Sequence, residues 1–375
     1  MKAHHNRVVA IRRVVSLVAV LMFVGFTHAA ITYELIDLGI PPRFSESHAT
    51  AINANGAVTV TAKTGGISQA YYYDGGMLNL INVPGATNTV ASGLNDNGLF
   101  VGTADFTSPS PSLGYIYNTN TSTITTIASP YFDSGSADRV NNNGIVLGAA
   151  NLNAPGGYIY QGGIYTQLDN ETGFLGGYGE INNNNQILAS SSTLQAYYVY
   201  DLGSGPLGDV GTLNWNIYTA RNFNDNAVIA GFIQANKDLF LTTPSSNLNN
   251  STTDLGKIGL GITGVGDINN LNAVVGTFDL NGSTDHPFLF SNNHFVDLND
   301  VISAALGWTL QDATGINDKG QIVGTGLAAD GLQHAYLLNP TLSPVPEPAT
   351  YGLAGAAMLT FLSLRRRLAQ RKRAT

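Results

Sequence analysis

The feature that most constrains this chain is a phrase that returns along it: an apolar residue, Asn, two variable residues, usually Gly, then an apolar run ending in Gly. It stands as Ile52-Asn53-Ala54-Asn55-Gly56, Leu94-Asn95-Asp96-Asn97-Gly98, Val140-Asn141-Asn142-Asn143-Gly144 and Ile181-Asn182-Asn183-Asn184-Asn185. It returns as Phe223-Asn224-Asp225-Asn226-Ala227, Ile268-Asn269-Asn270-Leu271-Asn272 and Ile316-Asn317-Asp318-Lys319-Gly320. The first Asn residues of successive copies lie 42, 46, 41, 42, 45 and 48 positions apart. A period of that size is the mark of a solenoid, array or propeller. Each copy continues into an aromatic run such as Tyr71-Tyr72-Tyr73 or Phe288-Leu289-Phe290 and an acidic-apolar piece such as Val296-Asp297-Leu298. With the apolar lead-in and the run after the phrase, that makes four strand candidates per copy.

Composition agrees with strands. Only 11% of residues are charged and Gly numbers 43, a balance that disfavours long solvated helices and favours strands joined by turns. Four-stranded units of this length match propeller blades, so the expected fold is all-β: a seven-bladed β-propeller over residues 30–342. An open array or a β-helix is the alternative, but β-helix repeats are normally much shorter. The seventh copy runs into a Pro-rich stretch without its acidic-apolar piece, while Tyr33-Glu34-Leu35-Ile36-Asp37-Leu38-Gly39 precedes the first phrase and resembles Thr253-Asp254-Leu255-Gly256. The N-terminal strand is therefore expected to complete the last blade and close the ring, pairing both edges at the seam.

Asn-Gly between apolar runs predicts two-residue type I′ turns at 55–56, 97–98 and 143–144. Asn185 and Asn272 can enter the left-handed region in place of Gly, whereas Ala227 is a poor substitute and predicts a different turn. The repeated first Asn could be read as a glycan or cation contact, but an Asn beside a tight turn bonds its own backbone, and repetition in every copy fits that structural role.

The ends carry a different message. Lys2, Arg7, Arg12 and Arg13 precede an apolar run over 14–26 and the small-residue stretch Thr27-His28-Ala29-Ala30, the order of a secretory signal peptide spanning residues 1–29 and removed by signal peptidase. At the other end Ser343-Pro344-Val345-Pro346-Glu347-Pro348 breaks regular structure. The apolar residues 349–364 that follow would span about 24 Å as a helix, short of the roughly 30 Å hydrocarbon layer, and the adjoining arginines can snorkel to make up the difference. Arg365, Arg366 and Arg367, with Arg371, Lys372 and Arg373, are expected to hold this end in the cytoplasm, leaving the body outside. A plain tail anchor is the alternative reading of this segment.

Pro346-Glu347-Pro348, a short transmembrane helix and an Arg-rich terminus, in that order over residues 343–375, resemble the bacterial PEP-CTERM sorting signal. The resemblance implies recognition at Pro346, Glu347 and Pro348 by an exosortase that removes the tail, after transient anchoring in the inner membrane. The stretch from Gly315 to Gly324, followed by His334-Ala335-Tyr336-Leu337, resembles the HAF repeats of bacterial extracellular proteins, which implies an extracellular repeat body and no particular activity. Other copies depart from that pattern, with Gln69 and Gln195 where His would stand and Asp238-Leu239 keeping neither residue.

Chemistry is hard to find in this sequence. Ten of the 17 Lys and Arg lie before residue 31 or after 364, leaving seven basic against 25 acidic groups between them, a balance that repels nucleic acid and anionic lipid. With no Cys there is no disulfide framework, thiolate metal site or cysteine nucleophile. His48, His286, His294 and His334 form no metal-binding pair, and the oxygen-rich loop Asp279, Asn281, Gly282 and Asp285 lacks the bidentate Glu of a calcium loop. No Gly-x-Ser-x-Gly elbow or Walker loop is present, so no catalytic residue, metal site or cofactor is assigned. Two insertions, 211–221 with Trp215 and Tyr218 and 299–312 with Trp308, are candidate ligand loops, although such rings equally plug gaps between blades. The expected function is a non-enzymatic exported protein of the cell surface or exopolysaccharide matrix, with extracellular polysaccharide as a candidate partner. The alternative is a glycan-active hydrolase, since two carboxylates close in space would suffice.

Overall fold

The computed structural model describes residues 31–107, 112–128, 134–151, 156–168, 177–191, 196–203, 205–206, 213–214, 218–243 and 252–342. The chain divides into two compact units, Tyr33–Pro340 and a second made of Met1–Thr32 with Thr341–Thr375. Of the second, only residues 31, 32, 341 and 342 are described, and there the Thr32 and Thr341 hydroxyls lie 2.8 Å apart. The expected signal peptide and the apolar and arginine-rich tail lie outside the described residues. Among the described residues no helix is long and apolar enough to cross a membrane.

The body is all-β, with two short 3-10 turns at Leu298–Asp300 and Ala304–Leu306. Its strands form antiparallel groups in chain order, each begun by the strand that leads into one Asn phrase. Ala86–Leu94, Leu99–Phe106, Leu113–Asn118 and Thr123–Ile127 make one such group. Gly261–Ile268, Val274–Asp279, Asp285–Ser291 and His294–Asp297 make another. The copies headed by Ser134–Val140, Gly177–Ile181 and Tyr218–Phe223 follow the same order. A nine-stranded sheet holds both the first copy, Glu46–Ile52 to Leu78–Leu80, and the seventh, Ile322–Leu327 with Gln333–Leu342; the two halves join where Glu46 runs parallel to Gln333.

Ile31–Gly39 pairs with Gln333–Leu342, beyond the last strand that the seventh copy supplies for itself. Tyr33 is buried in one cluster with Tyr336 and Leu338, and Leu38 in the next with Ala335 and Leu337. Burying such side chains contributes roughly 1.5–3 kcal/mol each. The N-terminal strand is thus tied to residues about 300 positions away by core packing as well as by its ladder.

Two features recur because the packing demands them. Three positions before the first Asn of each of the first six copies the leading strand slips register, as between Ala49 and Ala51, Ala137 and Arg139, and Val265 and Asp267, so a bulge bends it. Seven positions after the Asn stands a residue that must be small in most copies. A Cβ on Gly324 would collide with the Asp312 carbonyl and the Tyr336 hydroxyl, and one on Gly276 with the Gly264 carbonyl and Phe288. This explains the Gly that ends the apolar run.

The turn expectation needs correction. Gly56, Gly98 and Gly144 have positive φ, but Asn55, Asn97 and Asn143 do not, so these are not type I′ turns. Gly56 N–H instead donates to Asn53 C=O at 3.1 Å and Asn53 N–H to Ala57 C=O at 3.0 Å, the pattern of a turn followed by a left-handed residue and a bulge. Ala227 is a second correction. It has φ of 57°, beside 63° for Asn185 and 61° for Asn272, and its N–H donates to Asn224 C=O at 3.0 Å in the same turn. The bonds made by Asn224 outweigh the roughly 1–2 kcal/mol that a left-handed Ala costs.

Candidate functional site

The first Asn of each phrase does two jobs. Asn53 Oδ1 accepts from the N–H groups of Asn55 and Ala57 at 3.0 and 2.9 Å, fixing its own turn. Its Nδ2 then donates to Asn95 C=O in the next copy at 2.9 Å. The same bond runs from Asn95 to Asn141, Asn141 to Asn182, Asn182 to Asn224, Asn224 to Asn269 and Asn269 to Asn317. Asn317 Nδ2 donates back to Asn53 C=O at 2.9 Å, so the chain of side-chain bonds returns to its first member. All of these Asn residues are buried. The turn half of this role was legible in the sequence; the link to the next copy was not.

The residue after each Asn builds a second course of bonds. Ala54 N–H donates to Asp96 Oδ1, Asp96 N–H to Asn142 Oδ1, Asn183 N–H to Asp225 Oδ1 and Asn270 N–H to Asp318 Oδ1, at 2.8–2.9 Å. The amides of Asn142, Asn183 and Asn270 in turn donate to the carboxylates of Asp96, Asp225 and Asp318. Ala54 has no side-chain acceptor, so this course is interrupted between Asp318 and Asp96.

These phrases line a cavity of about 330 Å³ shared by all the copies. Two positions before the first Asn, the copies carry Ala51, Gly93, Arg139, Glu180, Asn222, Asp267 and Gly315. Three are small, and the four successive polar ones all line the cavity. Arg139 Nε donates to Glu180 Oε2 at 2.8 Å, and Asn222 Nδ2 to Gly266 C=O at 2.6 Å. Asp267 Oδ1 accepts from its neighbour Ile268 N–H at 2.8 Å and Oδ2 from Ile316 N–H of the next copy at 3.0 Å. Enclosure by protein pushes the Asp267 carboxyl up to about 7, aided by the Glu180 charge and opposed by those two N–H donors and by Arg139. The Glu180 carboxylate holds the Arg139 guanidinium more firmly protonated than usual. Charge and hydrogen bonds here tie copy to copy around the cavity.

The candidate ligand loops resolve differently. Tyr218 packs edge-on against Phe240 at 5.1 Å, beside the buried cluster of Leu188, Val199 and Phe223. Trp308 is half-buried against the cluster holding Tyr33 and Tyr336, with its ring 5.8 Å from His334. Trp215 lies outside the described residues, as do Pro346, Glu347 and Pro348 and the arginines Arg365, Arg366 and Arg367. The loop at Asp279 turns its oxygens on its own backbone: Asp279 Oδ1 accepts from Asn281 and Gly282 N–H, and Asn281 Oδ1 from Ser283. Among the described residues no three His, Cys, Asp or Glu side chains come together as metal ligands.

The polar residues around the cavity were missed in the sequence because each copy contributes only one. The signal was present, since a position that is Ala or Gly in three copies is polar in four consecutive others.

Residues 344–367 match the model of the PEP-CTERM protein-sorting motif, a stretch that contains Pro346, Glu347 and Pro348 and ends at Arg367. The motif implies an exported protein sorted by exosortase. No curated protein matches the chain. Among solved structures, the chain is similar to a streptogramin B lyase, at 12% identity and TM-score 0.53, over 84% of this chain and 100% of that one. It is similar also to YCF48 bound to D1 peptide, at 13% identity and TM-score 0.52, over 83% of this chain and 97% of that one. At such identities the likeness concerns the fold, which is all-β with propeller-like neighbours.

Proposed function

We propose that this is a non-enzymatic binding or structural protein of the cell surface or exopolysaccharide matrix, whose body is a seven-bladed β-propeller closed by its N-terminal strand. Residues 1–29 are the signal peptide, 30–342 the propeller and 343–375 the sorting tail, which anchors the chain in the inner membrane until exosortase acts. Closure is supported by the Asn53-to-Asn317 bonds that return to Asn53 and by the pairing of Ile31–Gly39 with Gln333–Leu342. The HAF resemblance of the seventh copy supports an extracellular repeat body. The single observation that carries the non-enzymatic reading is the use of the cavity's charged groups: Arg139, Glu180 and Asp267 are each bonded to a neighbouring copy. The seven-to-25 balance of basic to acidic groups favours a neutral polysaccharide partner over nucleic acid.

The test is export and retention in strains with and without exosortase. The reading expects a processed protein at the surface or in the matrix, held by isolated exopolysaccharide, and a membrane-bound unprocessed form when exosortase is lost. Cytoplasmic protein, or processed protein with no affinity for the polysaccharide, contradicts it.

A second reading has one observation behind it. Glu180 and Asp267 share the cavity, and a carboxyl raised to about 7 with a second carboxyl group nearby is the pairing that glycoside hydrolysis uses. Release of reducing sugar by the protein, abolished in both Glu180→Gln and Asp267→Asn, would replace the binding reading by that of a hydrolase.

A further inference from the structure

One boundary between copies departs from the others. Six positions after the first Asn, the second strand of each copy pairs with a residue of the third, giving Thr59 with Tyr72, Val101 with Ile116, Leu147 with Ile159 and Leu188 with Val199. The remaining pairs are Ala230 with Leu241, Val275 with Leu289 and Val323 with Leu337. The third-strand residue is aliphatic in every copy except the first, where it is Tyr72. The position five after the first Asn is Val58, Val146, Ile187, Ile229, Val274 or Ile322, except in the second copy, where it is Phe100.

These two exceptions meet. The rings of Tyr72 and Phe100 lie 4.9 Å apart, and Tyr117 is 5.7 Å from Tyr72. At these two positions the other copies are filled by aliphatic side chains, so two large rings here ask for another reason. Beside them opens a cleft of about 600 Å³, within the roughly 300–1,000 Å³ usual for small-ligand sites.

The cleft has the chemistry of a sugar site. Phe100 is buried and gives the wall its rigidity, while Tyr72 is half-buried and lines the cleft. Burial and the Tyr117 hydroxyl push the Tyr72 phenol up to about 12, so it stays a neutral donor and acceptor. Asp74, Asp96, Asn97, Thr119 and Asn120 supply the polar lining, and no Lys or Arg is among the lining residues. The polar wall is held in place by Asn120 Nδ2 donating to Asn97 C=O and Thr119 Oγ1 to Gly98 C=O. Two carboxylates without a counter-charge repel uronate or sulfate groups, while an aromatic ring beside amide and hydroxyl groups suits a neutral, hydroxyl-rich chain.

We infer that the cleft between the first and second copies binds a segment of neutral polysaccharide, with Tyr72 as the ring against which a sugar packs. The inference rests on the binding function proposed above and names its site.

The test is calorimetric titration of the exported, processed protein with cellohexaose and, as charge control, hexagalacturonate, in wild type and Tyr72→Leu. Leu is what three other copies carry at this position, so the melting temperature is expected to stay at the wild-type value. The expected result is cellohexaose binding weakened about tenfold or more by the substitution, with no heat from hexagalacturonate. The same two proteins are tested for retention on isolated exopolysaccharide. Cellohexaose binding that Tyr72→Leu leaves unchanged overturns the site. So does a wild type that is held by exopolysaccharide yet gives no heat with cellohexaose, and in both cases the binding function stands. Loss of both signals in the wild type overturns the function as well.

Discussion

His334 Nδ1 lies 2.8 Å from Asp37 Oδ1, a partner 297 positions earlier in the chain. One copy before, His286 Nδ1 lies 2.7 Å from Asp297 Oδ2, eleven positions later. In both, a His at the start of the third strand meets an Asp in the strand beyond it. Asp37 therefore stands where a fourth-strand Asp stands in the sixth copy, which is the reason for assigning the N-terminal strand to the seventh.

A double-mutant cycle reads that pair. Asp37 is 43% exposed, so solvent screening keeps the coupling small, about 0.5–1 kcal/mol. Asp37→Ala and His334→Ala, alone and together, are expected to show that coupling in urea unfolding; strict additivity would mean that the two residues do not meet in solution.

The Asn course can be dissected at Asn141. Asn141→Asp keeps the acceptor for Asn143 and Ile145 N–H but loses the donor to Asn182 C=O. Asn141→Ala loses both. Because unsatisfied buried groups cost about 1–3 kcal/mol each, and the Asp variant also turns a buried carboxylate oxygen on the oxygens of Asn182 and Asn185, both variants are expected to lose about 2 kcal/mol or more. An Asp variant as stable as the wild type would mean that the link between copies contributes nothing.

Asp267 predicts a pH dependence. Its folded carboxyl is raised to about 7 from 3.8, so the folded state binds the proton more tightly than the unfolded chain does. Its contribution is full below the unfolded value and is lost as pH rises toward 7. Asp267→Asn is expected to flatten the fall in stability between about pH 4 and 7, measured by urea midpoints across that range. An unchanged slope would refute the assignment.

Ala227 carries strain that can be removed. With φ of 57°, Ala227→Gly relieves the steric cost of a left-handed residue, and a gain of roughly 0.5–1 kcal/mol is expected in the unfolding free energy. A loss of stability would mean that the turn relaxes in solution to another form.

The repeat and its strand count were readable because the period is carried by residues the fold cannot exchange: the Asn that closes each turn, and the Gly beneath the third-strand ring. The pairing of Ile31–Gly39 with Gln333–Leu342 was readable as a piece missing at one end and present at the other. Turn type is not legible in Asn55-Gly56 alone, because Asn53 governs the geometry from two positions before. At Ala227 local propensity loses to the bonds of Asn224 for the same reason. Arg139, Glu180 and Asp267 are not legible as a group because they meet only around the cavity, 41 to 128 positions apart in the chain. Of the three ligand-loop aromatics, Tyr218 and Trp308 pack against core clusters, and the more distinctive Tyr72 was hidden inside a run of tyrosines.

The most direct test of the account joins the signal peptide to Ile40, deleting residues 31–39, and measures the melting temperature of the exported protein. Loss of Tyr33 and Leu38 from two core clusters removes several kcal/mol, so the account predicts a fall on the order of ten degrees with exposure of the Gln333–Leu342 edge to aggregation. A melting temperature equal to that of the intact chain would contradict a ring closed by its own beginning.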